Sequence, residues 1–189
     1  HCLNPRMGLT AMLSILRPAP RVIGLMLILT GLAYPLAVTG VAQALMPTQA
    51  NGNLLERDGQ VIGSALVGQR FVSGRYFWPR PSATGSDGYD AASSSGSNLG
   101  PTSKALMERV VTEVARYPGG PVAADAVTAS ASGLDPHISP ENARAQIARI
   151  AAARGLPQNQ VAALVEQSID GRILGILGEP RVNVLTLNI

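Results

Sequence analysis

The chain has a single cysteine, Cys2, among 189 residues. One thiol excludes an internal disulfide and leaves no cysteine-based metal site. Histidine is as scarce: His137 is the only one after His1, and no partner stands at ligand spacing from it, so no metal ligands are assigned. Nucleotide signatures are missing too, with neither a GxxxxGK[ST] loop nor a GxGxxG turn. There is also no Gly-x-Ser-x-Gly nucleophile elbow. Charge is thin and uneven. Before residue 55 the charged side chains are Arg6, Arg17 and Arg21, and beyond it 12 basic residues face 12 acidic ones (15 less 3, against 12). The net charge of +3 therefore belongs to the N-terminal flank. A nucleic-acid interface needs basic residues clustered on the folded part, and that pattern is absent.

What is present is, first, a long apolar run. Val22 to Leu45 is 24 residues without a charge. As a helix it reaches roughly 36 Å, enough for the ~30 Å hydrocarbon core of a bilayer with some tilt. Lipid offers no partners for backbone groups, so the run should be helical, and Pro35 should kink its second half. Gly24, Gly31 and Gly40 are small positions where another helix can approach. Ala42-Gln43-Ala44 fits a signal-peptidase site, but the apolar run exceeds the usual 7–15 residues of a signal peptide. A buried core helix is the other reading, and 24 uncharged residues are long for it. The expectation is an uncleaved anchor. Arg17 and Arg21 precede it and the next basic residue is Arg57, which places the N-terminus in the cytoplasm and the larger domain outside. The expected organisation is a flank over 1–21, a transmembrane helix over 22–45 and an extracytoplasmic domain over 46–189. Because the first residue is His and Met7 and Met12 are alternative starts, residues 1–11, an extension or an artefact, are set apart from the fold reading.

The domain reads as α+β. Strands are expected at Val61-Ile62, Ala65-Leu66-Val67, Arg70-Phe71-Val72 and Tyr76-Phe77-Trp78, with the aromatic residues anchoring a small core. Residues 79–101 are rich in Ser, Gly and Pro and read as a long loop. Thr102 or Ser103 can cap a helix to about Tyr117 with Leu106, Val110, Val111 and Val114 on one apolar face, stopped by Pro118-Gly119-Gly120-Pro121. A strand is expected at Val127. Ser139 then caps a helix with Pro140 in its first position, an inner face of Ile147, Ile150 and Ala151, and an end near Gly155. Pro157 opens a further helix carrying Val161, Leu164 and Val165. Ile173 to Leu177 and Val182 to Leu187 read as extended segments.

Asp135, His137 and Ser139 invite a hydrolase reading. Residues at i, i+2 and i+4 of one loop rarely converge on a nucleophile, and the bland alternative gives Asp135 turn bonds, Ser139 a capping role and His137 local packing. No catalytic residue is assigned. Arg75, Arg80 and Arg181 sit beside aromatic residues or proline and suit carboxylate pairing at an interface; the bland alternative pairs them within the domain to Asp87, Asp90 or Glu179. The Ser95-Gly96-Ser97-Asn98-Leu99-Gly100 loop is open to two readings. Glycine-rich backbone can cradle a phosphate, or the loop can dock a partner.

Four stretches carry a resemblance. Val127-Thr128-Ala129-Ser130-Ala131-Ser132-Gly133-Leu134-Asp135-Pro136-His137-Ile138-Ser139-Pro140 resembles a run in the C subunit of Kdp-type potassium-transporting ATPases of bacteria. So do Tyr76-Phe77-Trp78-Pro79-Arg80-Pro81-Ser82-Ala83, Ser95 to Pro101 and Gly178-Glu179-Pro180-Arg181-Val182-Asn183-Val184-Leu185, in the family's order. The resemblance implies a single-pass subunit of the bacterial inner membrane with a periplasmic or extracellular domain. It implies three protein partners: a channel-like potassium-translocating subunit, a P-type ATP-hydrolysing subunit and a small membrane peptide. The implied role is assembly and a catalytic-chaperone action that raises the hydrolysing subunit's ATP affinity. ATP and potassium are then handled by the complex, with no cofactor assigned to this chain. The P-type Asp-Lys-Thr-Gly sequence is absent, so energy coupling belongs to a partner. Within the resemblance, Arg75, Arg80, Asp135, His137 and Arg181 are candidate partner contacts. Ser95, with the rest of loop 93–101, is likened to a signature loop that contacts ATP, although Ser95 replaces a usual glycine. A direct nucleotide-handling role and a membrane-tethered hydrolase are the alternatives.

Overall fold

The computed structural model describes residues 14, 16, 18–117 and 120–189. Cys2, Arg6, Met7, Met12, Arg17, Pro118 and Gly119 lie outside them. The chain divides into two units, one ending at Asn51 and one beginning at Gly52.

The first unit is dominated by α1, Pro18–Leu45, 28 residues that include an 18-residue stretch of mean hydropathy 2.0. It is the one helix among the described residues long and apolar enough to cross a membrane. It starts four residues before the expected Val22 and runs through Pro35. The missing proline N–H is absorbed by a π-helical stretch, Leu29–Ala33, immediately before it. Thr30 Oγ1 donates to the Met26 carbonyl at 2.7 Å in the preceding turn. A short α2, Pro47–Ala50, follows.

The second unit is α+β. A hairpin pairs β1, Leu54–Arg57, with β2, Gln60–Ser64, antiparallel with a bulge between Leu55 and Glu56. After a long irregular segment come α3, Lys104–Val114, and α4, Ala124–Val127. Next stand β3, His137–Ile138, α5, Pro140–Ala145, α6, Ile147–Arg154, and α7, Gln158–Gln167. The chain closes with β4, Ile169–Asp170, β5, Arg181–Asn183, and α8, Val184–Asn188. β5 lies between β3 and β4, antiparallel to both. Val182 on β5 is fully buried against Ile138, Ile150, Val161, Val165 and Phe77.

The expected cap holds. Ser139 Oγ accepts from Asn142 N at 3.1 Å and Pro140 occupies the first turn. Gly155 ends α6 in the left-handed region at φ 67°, where a side chain is disfavoured. Ile150, Ala151, Val161 and Val165 are buried as expected, whereas Leu164 is exposed.

Other expectations are corrected. Residues 65–67, 70–72 and 76–78 form no strand. For 76–78 the partners explain it: side-chain amides take the place of a neighbouring strand. Asn188 Oδ1 accepts from Phe77 N at 2.8 Å and its Nδ2 donates to Phe77 O at 3.0 Å. Gln146 Oε1 accepts from Trp78 N at 2.7 Å and its Nε2 donates to Trp78 O at 3.1 Å. Arg149 and Arg154 donate to the carbonyls of Tyr76 and Arg75. With those groups satisfied, no ladder is required. Val127 ends a helical turn instead of starting a strand, and 184–188 is helical because Asn183 caps it, accepting from Thr186 N at 3.1 Å. Ser103 stands at the start of α3 without a side-chain cap bond, and Val111 on the expected inner face is exposed.

Candidate functional site

The site grows from the corner at 134–139. Proline at 136 disfavours helix at Asp135, so the carboxylate turns back on its own backbone. Asp135 Oδ1 accepts from His137 N at 2.9 Å, and Oδ2 meets Arg80 Nη1 at 3.1 Å. His137 Nδ1 lies 3.5 Å from Oδ1. Burial pushes the Asp135 carboxyl up, but the bonds from His137 and Arg80 outweigh it and hold the group below the usual carboxylate range. Arg80 is in turn fixed from behind, where the Tyr89 hydroxyl donates to its carbonyl at 2.7 Å. Burial, aided by the Asp135 charge, raises the Tyr89 pKa far above its ordinary value, so the phenol stays a donor.

Asp125 braces the other side. Its Oδ1 accepts from Ser139 Oγ at 2.8 Å, and its Oδ2 accepts from Ser139 N at 2.8 Å and Asn142 Nδ2 at 3.1 Å. The Ser139 hydroxyl therefore donates to a carboxylate and caps α5, and the expectation of a capping serine is met. Arg80, Asp125, Asp135, His137, Ser139 and Arg181 line one cleft of about 370 Å³. Four of the five candidate contacts thus come together. Arg75 does not join them; it is exposed, and its carbonyl accepts from Arg154 Nε at 2.7 Å.

The anticipated pairings to Asp87, Asp90 or Glu179 do not form. Arg80 takes Asp135, Asp87 lies 3.9 Å from Arg70, and Glu179 binds Arg172 at 2.6 Å. Arg75 and Arg181 have no ion-pair partner among the described residues.

The 95–100 loop divides in two. Ser95 N donates to Ser132 O at 3.1 Å, and a Cβ on Gly96 would meet Ala131 O at 2.9 Å. Ser97 Oγ accepts from Arg109 Nη2 at 3.2 Å. Asn98 follows in the left-handed region at φ 52°, and Gly100 O accepts from Ser103 N at 3.0 Å just before α3. Ser82 ties the same region together, since its Oγ donates to Gly133 O at 2.7 Å and accepts from Tyr89 N at 2.9 Å. Gly133, at φ 67°, has no room for a side chain: a Cβ there would stand 2.7 Å from Ser95 O. The four stretches singled out in the sequence therefore meet around residues 131–138. Asp125, Tyr89, Asn142 and Ser82 complete the site. Asp125 precedes Ser139 by 14 positions, a separation no local pattern reveals.

The Asp135 geometry fixes a pH dependence. A depressed folded pKa means the carboxylate stabilises the fold above its unfolded pKa of about 3.9, and that gain is lost as pH falls through the folded value. Asp135→Asn should cost about 1 kcal/mol at pH 7, with the cost shrinking toward zero near pH 2. Urea midpoints at the two pH values check it; an equal cost at both would contradict the ion-pair account.

The class defined by this architecture is a small α+β domain that follows one membrane-length apolar helix and carries a charged, cross-braced cleft. Known proteins narrow the class. The family described as the c chain of K+-transporting ATPases, KdpC, matches residues 16–189. A potassium-transporting ATPase KdpC subunit of Allorhizobium ampelinum is 56% identical over 181 residues, 94% of this chain and 95% of that protein. The subunit of the same name in Caulobacter vibrioides is 56% identical over 182 residues, covering 94% and 92%. That of Bradyrhizobium diazoefficiens is 52% identical over 193 residues, covering 94% and 96%. The chain belongs to the KdpC family.

Proposed function

We propose that this chain is an accessory subunit of an ATP-driven potassium uptake complex, anchored by α1 in the bacterial inner membrane with its domain outside the cytoplasm. It assists assembly with a channel-like subunit, a P-type ATP-hydrolysing subunit and a small membrane peptide, and raises the ATP affinity of the hydrolysing subunit. By itself it catalyses nothing. The observation that carries the reading is how the cleft spends its polar groups. Ser139 and Asp125 hold a helix start, and Asp135 holds Arg80 and a turn. The Ser139 hydroxyl donates to Asp125 while it accepts from Asn142 N, so it is engaged in the helix cap, and His137 faces Asp135 instead of Ser139. Arg181, exposed and without an ionic partner at the cleft edge, is the group available to a carboxylate of another subunit.

Affinity for ATP tests this. A coupling of the usual 1–3 kcal/mol between subunits corresponds to about 5–150-fold in an affinity. Potassium-stimulated hydrolysis by the complex with and without this chain should show KM for ATP rising by a factor in that range without it. An unchanged KM would refute the chaperone action. A loss of ATP binding by the purified chain itself on changing Ser95 or Asn98 would establish the nucleotide-handling alternative. His137→Ala should leave turnover of the assembled complex intact, whereas the hydrolase alternative requires its loss.

A further inference from the structure

The segment between β4 and β5 forms a projecting apolar tip. Ile173, Leu174, Ile176 and Leu177 are 64%, 88%, 78% and 61% exposed, against a core where Val182 is fully buried. Consecutive exposed aliphatic side chains are costly in water and mark interaction surfaces. The backbone beneath them is already satisfied. Ile173 and Leu177 exchange both N–H···O bonds, at 2.9 and 3.0 Å, Gly175 N donates to Arg172 O at 3.1 Å and Ile176 N to Ile173 O at 3.2 Å. Leu174 is held in the left-handed region at φ 54°, a conformation that a non-glycine residue adopts only at a cost. The tip thus has a set shape. Its base is clasped by the Arg172–Glu179 pair at 2.6 Å.

We propose that this tip is a docking peg that seats in an apolar groove on another subunit of the transport complex, a surface assignment that rests on the accessory-subunit reading above. Charge favours a protein groove over lipid. Asp170 and Glu179 offset Arg172 and Arg181 around the base, so the rim is neutral and lacks the basic excess that draws a tip to anionic lipid. An apolar centre with a mixed-charge rim is the anatomy of a protein interface. The groove that fits it is lined by aliphatic or aromatic side chains and bordered by groups of both signs.

A photo-crosslinking amino acid at Leu174 in the full chain, co-expressed with its partner subunits, tests the peg directly. The same probe at Val111, 67% exposed on α3, is the control. The expected result is a Leu174 adduct with another subunit at least tenfold more abundant than the Val111 adduct. Adding Ile176→Asp should reduce the adduct at least tenfold, with Trp78 emission unchanged as a check on folding. Adducts with lipid or with a second copy of the chain would overturn the proposal, as would equal yields at the two positions. Failure of the unmodified chain to co-purify with transport subunits would instead overturn the underlying reading.

Discussion

Gln146→Leu should destabilise the domain by about 3 kcal/mol and lower its melting temperature by roughly 10 °C. Leucine approximates the volume, so packing changes little. Bonding changes severely. The Gln146 side chain is 1% exposed and uses both ends twice. Its oxygen accepts from Trp78 N at 2.7 Å and Arg149 Nη2 at 2.6 Å. Its nitrogen donates to Trp78 O at 3.1 Å and Asn142 Oδ1 at 2.9 Å. Removing it strands a backbone N–H and C=O with no strand nearby to take them, each at a cost of about 1–3 kcal/mol where water cannot reach. Arg149 also stacks over Trp78, its guanidinium carbon 3.6 Å from the ring centroid, and loses one of its fixed bonds. Trp78 is the only tryptophan, so its fluorescence during denaturation reports this site without ambiguity. Stability within 1 kcal/mol of the parent would mean that amide substitution for a strand is not what holds 76–78.

A chain reduced to residues 46–189 should stay folded and soluble yet lose co-purification with transport subunits. The buried cluster from Phe77 to Val184 lies wholly beyond the apolar helix, so folding has its own core. Association depends on tethering. Sharing a membrane gives a weak docking surface an effective concentration that can be worth 10²–10⁴ in overall affinity, and release leaves only the intrinsic term. Circular dichroism and affinity capture together decide it. Full restoration of potassium-dependent ATPase activity by the soluble domain at low concentration would contradict the prediction.

The elements legible in the sequence were those written in local chemistry. Ser139-Pro140 marked a helix start, Gly155 an end, and uncharged residues 22–45 a membrane-length helix, because caps, left-handed stops and hydropathy act within a few positions. The strands misplaced at 65–67, 70–72 and 76–78 show the limit. Their apolar residues have strand character, but at Phe77 and Trp78 it is Asn188 and Gln146, 111 and 68 positions away, that supply the hydrogen bonds. Sequence spacing carries no trace of such partners. The same holds for the cleft: Asp135 and His137 were visible as a corner, whereas Asp125 and Tyr89 reach it only through the tertiary fold. The apolar face assigned to α3 failed differently. Of the stripe Leu106, Val110, Val111 and Val114, the last two remain exposed. A helical period says which residues share a face and not what covers it.

Which side of the membrane holds residues 52–189 bears most directly on the function proposed for this chain. A domain outside the cytoplasm acts on ATP affinity through its partners; one inside can touch the nucleotide. The deciding measurement is a pair of reporters fused after Ile189 in the full chain, alkaline phosphatase in one and a fluorescent protein that matures only in the cytoplasm in the other. Arg17 and Arg21 ahead of the uncharged run 22–45, with no basic residue after it until Arg57, predict active phosphatase and dark fluorescence. Bright fluorescence with inactive phosphatase would contradict the account and put the Ser95–Gly100 loop within reach of ATP.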